Sequence, residues 1–182
     1  MNAPFKTDSL PEWRLDDLYA DREDPRIAAD LASAEGMTKD LAGLKGQLVA
    51  ARAEAATLSE RLDRGIQLYE QVTNALWGVG AYASLAASTA RDDPAWAKFE
   101  ADFRARAAQI GAESLFFTLE INELEDAELE AALAADAGAA RWRPWLRRVR
   151  LTRPHELSPD LERMLVDRGP AVANWGRLYD ET

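Results

Sequence analysis

Apolar residues recur along most of the chain at steps of three and four, the spacing that places them on one face of an α-helix. The longest such series predicts a helix from about Glu54 to Ala90. Its apolar positions are Leu58, Leu62, Ile66, Tyr69, Leu76, Val79, Tyr82 and Leu85. Strict alternation of apolar and polar residues, the pattern of a half-buried strand, does not extend over any useful length of the sequence. The pattern therefore predicts an all-α fold.

Three predicted helix starts share one local chemistry. Asp24-Pro25, Asp93-Pro94 and Ser158-Pro159 each place a capping side chain before a proline at the first helical position. They predict helices from Pro25 to about Lys45, from Pro94 to about Leu119, and from Pro159 onward with an interruption at Gly169-Pro170. Residues 1–23 lack this pattern, and we expect an extended N-terminal segment there, followed by one helical domain over residues 24–182.

The second half of the chain predicts shorter elements. We expect a short helix at about Asp126–Ala135, another at Arg141–Arg150, and a linker at Arg153–Leu157. The helix that begins at Pro94 carries an aromatic and aliphatic stripe that is most simply core. Its members are Trp96, Phe99, Phe103, Ile110 and Phe117. Together these elements predict a multi-helix domain with long antiparallel helices.

Charge is distributed unevenly along the 182 residues. The net charge is −10, but residues 1–140 hold 13 basic and 26 acidic side chains, whereas residues 141–182 hold 9 and 6. An acidic body argues against a nucleic-acid partner, which requires a broad basic face. The sequence contains no cysteine, no apolar run long enough to cross a membrane and no signal-peptide core, so we expect a cytoplasmic protein without a membrane partner.

The single histidine is one candidate for a catalytic residue. His155-Glu156 matches the first two residues of His-Glu-x-x-His, a motif in which two histidines four residues apart hold zinc from one helix face. The second histidine position is occupied by Pro159, which cannot bind metal. Acidic pairs such as Asp92-Asp93 are most simply helix caps. The sequence therefore predicts no catalytic residue and no metal ligand in this chain.

An arginine cluster is the most unusual electrostatic feature. It consists of Arg141, Arg143, Arg147, Arg148, Arg150 and Arg153, interleaved with Trp142 and Trp145. We favour ion pairs between these arginines and the acidic body, with the tryptophans in the core. Contact with another domain or with a peptide remains open for Arg141, Arg147 and Arg148, and a polyanion is the third alternative.

Three stretches together resemble the N-terminal region of the oligoendopeptidase F family, zinc metallopeptidases related to thimet oligopeptidase. The first contains Trp13, Leu15, Leu18 and Tyr19, and it is similar to the family's Trp-x-Leu-x-x-Leu-Tyr. The second contains Tyr82 and Leu85, followed by Asp93-Pro94. The third contains Phe116 and Phe117 and then Pro154, His155, Leu157 and Ser158, which resemble the family's Phe-Phe-x-Leu-Glu and Pro-His-x-Leu-Ser segments.

The resemblance implies that this chain is the N-terminal helical lobe of a larger peptidase. In that family the lobe covers the active-site channel and restricts substrates to short peptides, while zinc lies in a separate catalytic domain. We therefore expect this chain to be inactive alone, to bind no cofactor itself, and to have the catalytic domain as its partner. Its apolar ending, Trp175-Gly176-Arg177-Leu178-Tyr179, also leads us to expect a piece of a longer protein.

The alternative interpretation is a stand-alone helical module that binds other proteins. The two interpretations predict different native reading frames after Thr182. A continuation past Thr182 that encodes His-Glu-x-x-His indicates the peptidase, and a stop codon there indicates the module.

Overall fold

The computed structural model describes residues 14–180, except for the side chains of 173, 174, 176, 177 and 180 in the last helix. Within this range every regular element is helical. The elements are α1 (Pro25–Ala42), α2 (Gln47–Ala50), α3 (Ala55–Thr89), α4 (Pro94–Glu123), α5 (Asp126–Ala135), α6 (Ala137–Ala140), α7 (Arg143–Arg150), a 3-10 turn (Arg153–His155) and α8 (Pro159–Asp180). The predicted all-α class is confirmed.

The proline-led helix starts form as their local chemistry dictates. A carboxylate oxygen of Asp24 accepts the backbone N–H of Arg26 at 2.9 Å, and one of Asp93 accepts that of Ala95 at 2.9 Å. Each bond satisfies one of the amides that a helix start leaves without an internal partner. The carbonyl of Ser158 accepts the first bonds of α8, from Leu161 and Glu162.

The predicted break at Gly169-Pro170 is wrong, because α8 continues without interruption with Pro170 inside it. Proline in a helix interior removes one backbone hydrogen bond and costs about 3 kcal/mol. Its fixed φ is nevertheless helical, and α8 packs against α4.

The two longest helices run antiparallel and approach each other at glycines. An added Cβ at Gly65 of α3 would clash with the ring of Phe117 of α4, and one at Gly80 would lie 2.9 Å from Phe103. Numbering rises along one helix as it falls along the other, which fixes the antiparallel direction. The main core surrounds Phe117 and is closed by apolar residues of α5 and α7.

None of the described helices is long and apolar enough to cross a lipid bilayer.

Candidate functional site

The segment that contains His155 is a tight joint between α7 and α8. The 3-10 turn Arg153–His155 bends the chain, and the carboxylate of Glu156 then accepts a hydrogen bond from the side-chain amide of Asn122. Asn122 is buried on α4, so this bond attaches the joint to the core. The backbone N–H of Leu157 donates to Glu162 at 2.8 Å, which sets the direction in which α8 leaves. Pro154, His155, Leu157 and Ser158 thus act together as a corner.

The joint does not have the ligands of a zinc site. His155 is exposed, and the neighbouring carboxylate of Glu156 is engaged by Asn122. In the part of the chain that the structure describes, no three His, Asp or Glu side chains converge as a metal site requires. Among the described residues, this joint therefore offers no ligand set for a zinc ion.

Four members of the arginine cluster bind acidic side chains of the body. Arg141 lies 3.0 Å from Asp63 of α3, and Arg153 lies 3.5 Å from Glu125. The other two pairs are Arg143 with Glu130 and Arg150 with Asp126. Hydrogen bonding to these arginines holds the pKa values of Glu130 and Asp126 below their ordinary range. The cluster thus fastens α7 and the turn to α3 and α5.

The tryptophans of this segment pack inward. The indole N–H of Trp142 donates to Asp63 at 2.7 Å, and the Trp145 ring lies against Tyr69 with ring centroids 5.7 Å apart. Asp63 therefore receives both an arginine and a tryptophan from the same segment. This arrangement explains why arginine and tryptophan alternate here, since one side of the segment is core and the other is ionic.

Arg147 and Arg148 differ from their neighbours. Among the described residues, neither forms an ion pair or a hydrogen bond, and both are exposed. Arg147 lies on the rim of a groove of about 370 Å³ between α5 and α7. The floor of this groove is apolar and includes Leu129, Leu133 and Leu146. Of the three arginines that sequence analysis left open for an outside contact, these two keep an unengaged guanidinium.

The first two family-like stretches meet in one aromatic cluster. The rings of Tyr19 and Tyr82 are in edge contact with centroids 5.2 Å apart, and Trp96 lies 5.8 Å from Tyr82. The Tyr19 hydroxyl donates to Asp30 at 2.7 Å, and burial is the main reason that its pKa is raised to about 12. Leu15 packs at the edge of this cluster, whereas Leu18 and Leu85 are partly exposed. Trp13 lies outside the described residues.

The third stretch has one core residue and one residue at its edge. Phe117 is fully buried and packs against Tyr69, with ring centroids 5.9 Å apart. Phe116 is half-buried and packs against the same core from outside. The family-like residues of the described range are thus mainly those that fix helix contacts.

Two surface features were not assigned from the sequence. An open groove of about 530 Å³ lies between α3 and α4, with Trp77 on its rim at 75% exposure. The second feature is the outward face of α8, where Leu161, Leu165 and Val172 are exposed. The periodicity of the α8 sequence is enough to predict this second face. The groove could not be predicted in this way, because it depends on where α4 crosses α3.

Residues 120–182 match a family model described as Oligopeptidase F, which represents the N-terminal part of such peptidases. The match begins in the last turn of α4 and includes the arginine cluster, the joint and α8. No curated protein and no solved structure matches the chain. In this segment the chain resembles the N-terminal region of the oligoendopeptidase F family.

Proposed function

We propose that this chain is the non-catalytic N-terminal lobe of an oligoendopeptidase F-like zinc metallopeptidase. The observation that carries the proposal is the family match over residues 120–182. The resemblance of Tyr19, Tyr82 and Phe117 to family motifs supports it from the other end of the chain, because those side chains fix the contacts among the long helices. The parent enzyme would hydrolyse oligopeptides.

The proposed role of the lobe is to cover the active-site channel and to restrict substrates to short peptides. A lobe that excludes large substrates in this way must be rigid. The ion pair of Arg141 with Asp63 of α3, the ion pair of Arg143 of α7 with Glu130 of α5, and the close α3–α4 approach favour such rigidity. Zinc and its ligands would belong to the catalytic domain, and the parent would act in the cytoplasm.

The non-catalytic part of the proposal is tested on purified residues 1–182. We expect no cleavage of a quenched fluorogenic peptide and no stoichiometric zinc by elemental analysis. Cleavage that disappears with a chelator and returns with zinc would overturn this part.

The restricting role is tested on the protein encoded by the complete native reading frame. We expect it to cleave an octapeptide efficiently and a long unstructured polypeptide poorly, as judged by kcat/KM. Removal of residues 1–182 should bring the kcat/KM values for the octapeptide and for the long polypeptide closer together. An unchanged ratio in an active, folded enzyme would contradict a restricting lobe.

A stand-alone interaction module is the second candidate, favoured by the exposed apolar residues of α8. It predicts a reading frame that stops at Thr182. A frame that continues into His-Glu-x-x-His excludes it.

A further inference from the structure

Helix α8 presents a regular seam to the outside. Positions 161, 165, 168, 172, 175 and 179 follow one another at alternating steps of four and three. This is the heptad spacing of a helix that packs along another helix. The residues are Leu161, Leu165, Arg168, Val172, Trp175 and Tyr179.

The seam is exposed because α8 contacts the body with its opposite side. Glu162, Val166 and Pro170 are half-buried and follow one another at steps of four, which places them together on the side toward α4. Val172 and Trp175 on the seam are 59% and 73% exposed. The side of α8 that faces α4 thus carries fewer large apolar residues than the side that faces solvent.

Exposed apolar side chains are concentrated in this part of the molecule. Of the 12 large hydrophobic residues that are exposed in the described range, 9 lie between Leu151 and Tyr179. Contiguous apolar patches of this kind mark interaction sites more often than they mark ordinary surface. The same stretch lies within the segment that matches the family.

Charge disfavours a second copy of this chain as the occupant. In a parallel pair, the two Arg168 guanidinium groups would face each other across the seam. In an antiparallel pair centred on the seam, Arg168 would face Val172, and no seam position would supply a carboxylate. A charged residue within a helix seam requires a complementary partner, because removing it from water unpaired is costly.

We propose that the α8 seam is the docking surface for an amphipathic helix of the catalytic part of the same peptidase. That helix carries apolar residues at heptad spacing and an acidic residue opposite Arg168. The inference rests on the proposed function, which supplies the catalytic part as the partner. It adds the surface of the lobe that binds this partner and the ion pair that Arg168 forms with it.

The absence of native cysteine permits a direct test with single-cysteine variants. Val172→Cys places a thiol on the seam, and Arg163→Cys places one on an exposed position away from it. Both are made in residues 1–182 and in the protein from the complete reading frame, and their reaction with a water-soluble maleimide is timed. We expect Val172→Cys to react roughly tenfold or more slowly in the complete protein, since docking limits access to brief openings. Arg163→Cys should react at similar rates in both.

Arg168 is tested in the same background. Arg168→Glu should restore most of the Val172→Cys reactivity in the complete protein by opposing the acidic partner, whereas Arg163→Glu should not. Equal reactivity of Val172→Cys in both proteins would overturn the inference if the complete protein is an active peptidase. Protection already present in residues 1–182, with a dimeric mass by light scattering, would overturn it in favour of a second copy. A complete protein without zinc-dependent peptidase activity would refute the proposed function itself, and this inference would fail with it.

Discussion

At the scale of single residues, Arg150 connects three helices. From α7 its guanidinium donates to the carbonyls of Ile121 and Leu124 at 2.9 and 2.7 Å, and it pairs with Asp126 at the start of α5. Its side chain is only 12% exposed. The last carbonyls of a helix lack i+4 donors, and these bonds supply donors at the end of α4. The Ile121 carbonyl also accepts the backbone N–H of Leu124 at 3.4 Å. Arg150 therefore acts as a C-terminal cap supplied from another element.

We expect Arg150→Met to lower the free energy of unfolding by about 2 kcal/mol, because a buried carbonyl is left without a donor. Urea denaturation followed by circular dichroism measures the change. Arg148→Met is the matched control, since Arg148 is exposed and unpaired among the described residues, and it should change stability by less than about 0.5 kcal/mol. Equal effects of the two substitutions would show that Arg150 is not a cap.

Glu120 is a buried carboxylate that joins α4 to the loop before α2. One carboxylate oxygen accepts the backbone N–H of Gly46, while the other has no partner among the described residues. Burial raises the pKa of Glu120 above its ordinary value, and Glu123 adds to this effect, whereas the hydrogen bond from Gly46 and the charge of Lys45 oppose it. The folded protein therefore binds a proton at Glu120 more tightly than the unfolded chain does.

A raised pKa in the folded state gives a defined sign to the pH dependence. The contribution of Glu120 to stability is present below the ordinary carboxyl pKa and is lost as pH rises through the folded value. We expect the stability of the native chain relative to Glu120→Gln to increase as pH falls from neutral toward 4.5, the ordinary value. Urea midpoints at a series of pH values test this. Glu113→Gln is the control, because Glu113 is an exposed carboxylate of α4 that does not shift the pKa of Glu120. A stability difference independent of pH would contradict the assignment.

At the scale of elements, the α3–α4 contact depends on glycine for space. Phe117 occupies the position that a Cβ on Gly65 would need, so the close approach of the two helices at this crossing requires glycine. By contrast, a Cβ on Gly36 of α1 would meet no atom within 4 Å. The same residue type thus has a packing role in one helix and none in another.

We expect Gly65→Ala to destabilise the protein by about 1–3 kcal/mol, because overpacking outweighs the gain in helix propensity. Gly36→Ala should instead stabilise it by about 0.5–1 kcal/mol, since only propensity changes. Thermal or urea unfolding of the two variants side by side measures both. Stabilisation by Gly65→Ala would mean that the helices separate easily at this crossing.

At the scale of the whole molecule, the basic C-terminal part offsets a small share of the negative charge of the acidic body. Four of the six arginines in the cluster bind carboxylates of α3 or of the region around α5. The net charge of the chain remains −10. The cluster therefore does not form a broad basic face of the kind that nucleic acid requires.

We expect residues 1–182 to elute from immobilised double-stranded DNA at low salt without retention. Retention that falls steeply with salt would instead indicate phosphate contacts. Glu130→Gln, which frees Arg143, tests whether the column detects one additional free guanidinium.

Local signals located some elements well. The starts of α1 and α4 were predicted at Pro25 and Pro94, because a cap and a proline act within one turn. The end of α4 was predicted at about Leu119, but the helix continues to Glu123. Glu120 and Asn122 are polar and therefore resemble solvent-exposed residues in the sequence. They are buried because distant groups, Gly46 and Glu156, bind them.

The sequence by itself determined the helical class, the main helix starts and the absence of a His-Glu-x-x-His motif from these 182 residues. These depend on periodicity, capping and residue type, which act within a few positions. Only the tertiary structure decided that, within the described part of the chain, Arg147 and Arg148 form no ion pair or hydrogen bond while Arg141, Arg143 and Arg150 do. It also decided that α8 directs its heptad seam outward. Both outcomes depend on which helix lies beside which, and that choice is made by packing between residues far apart in the chain.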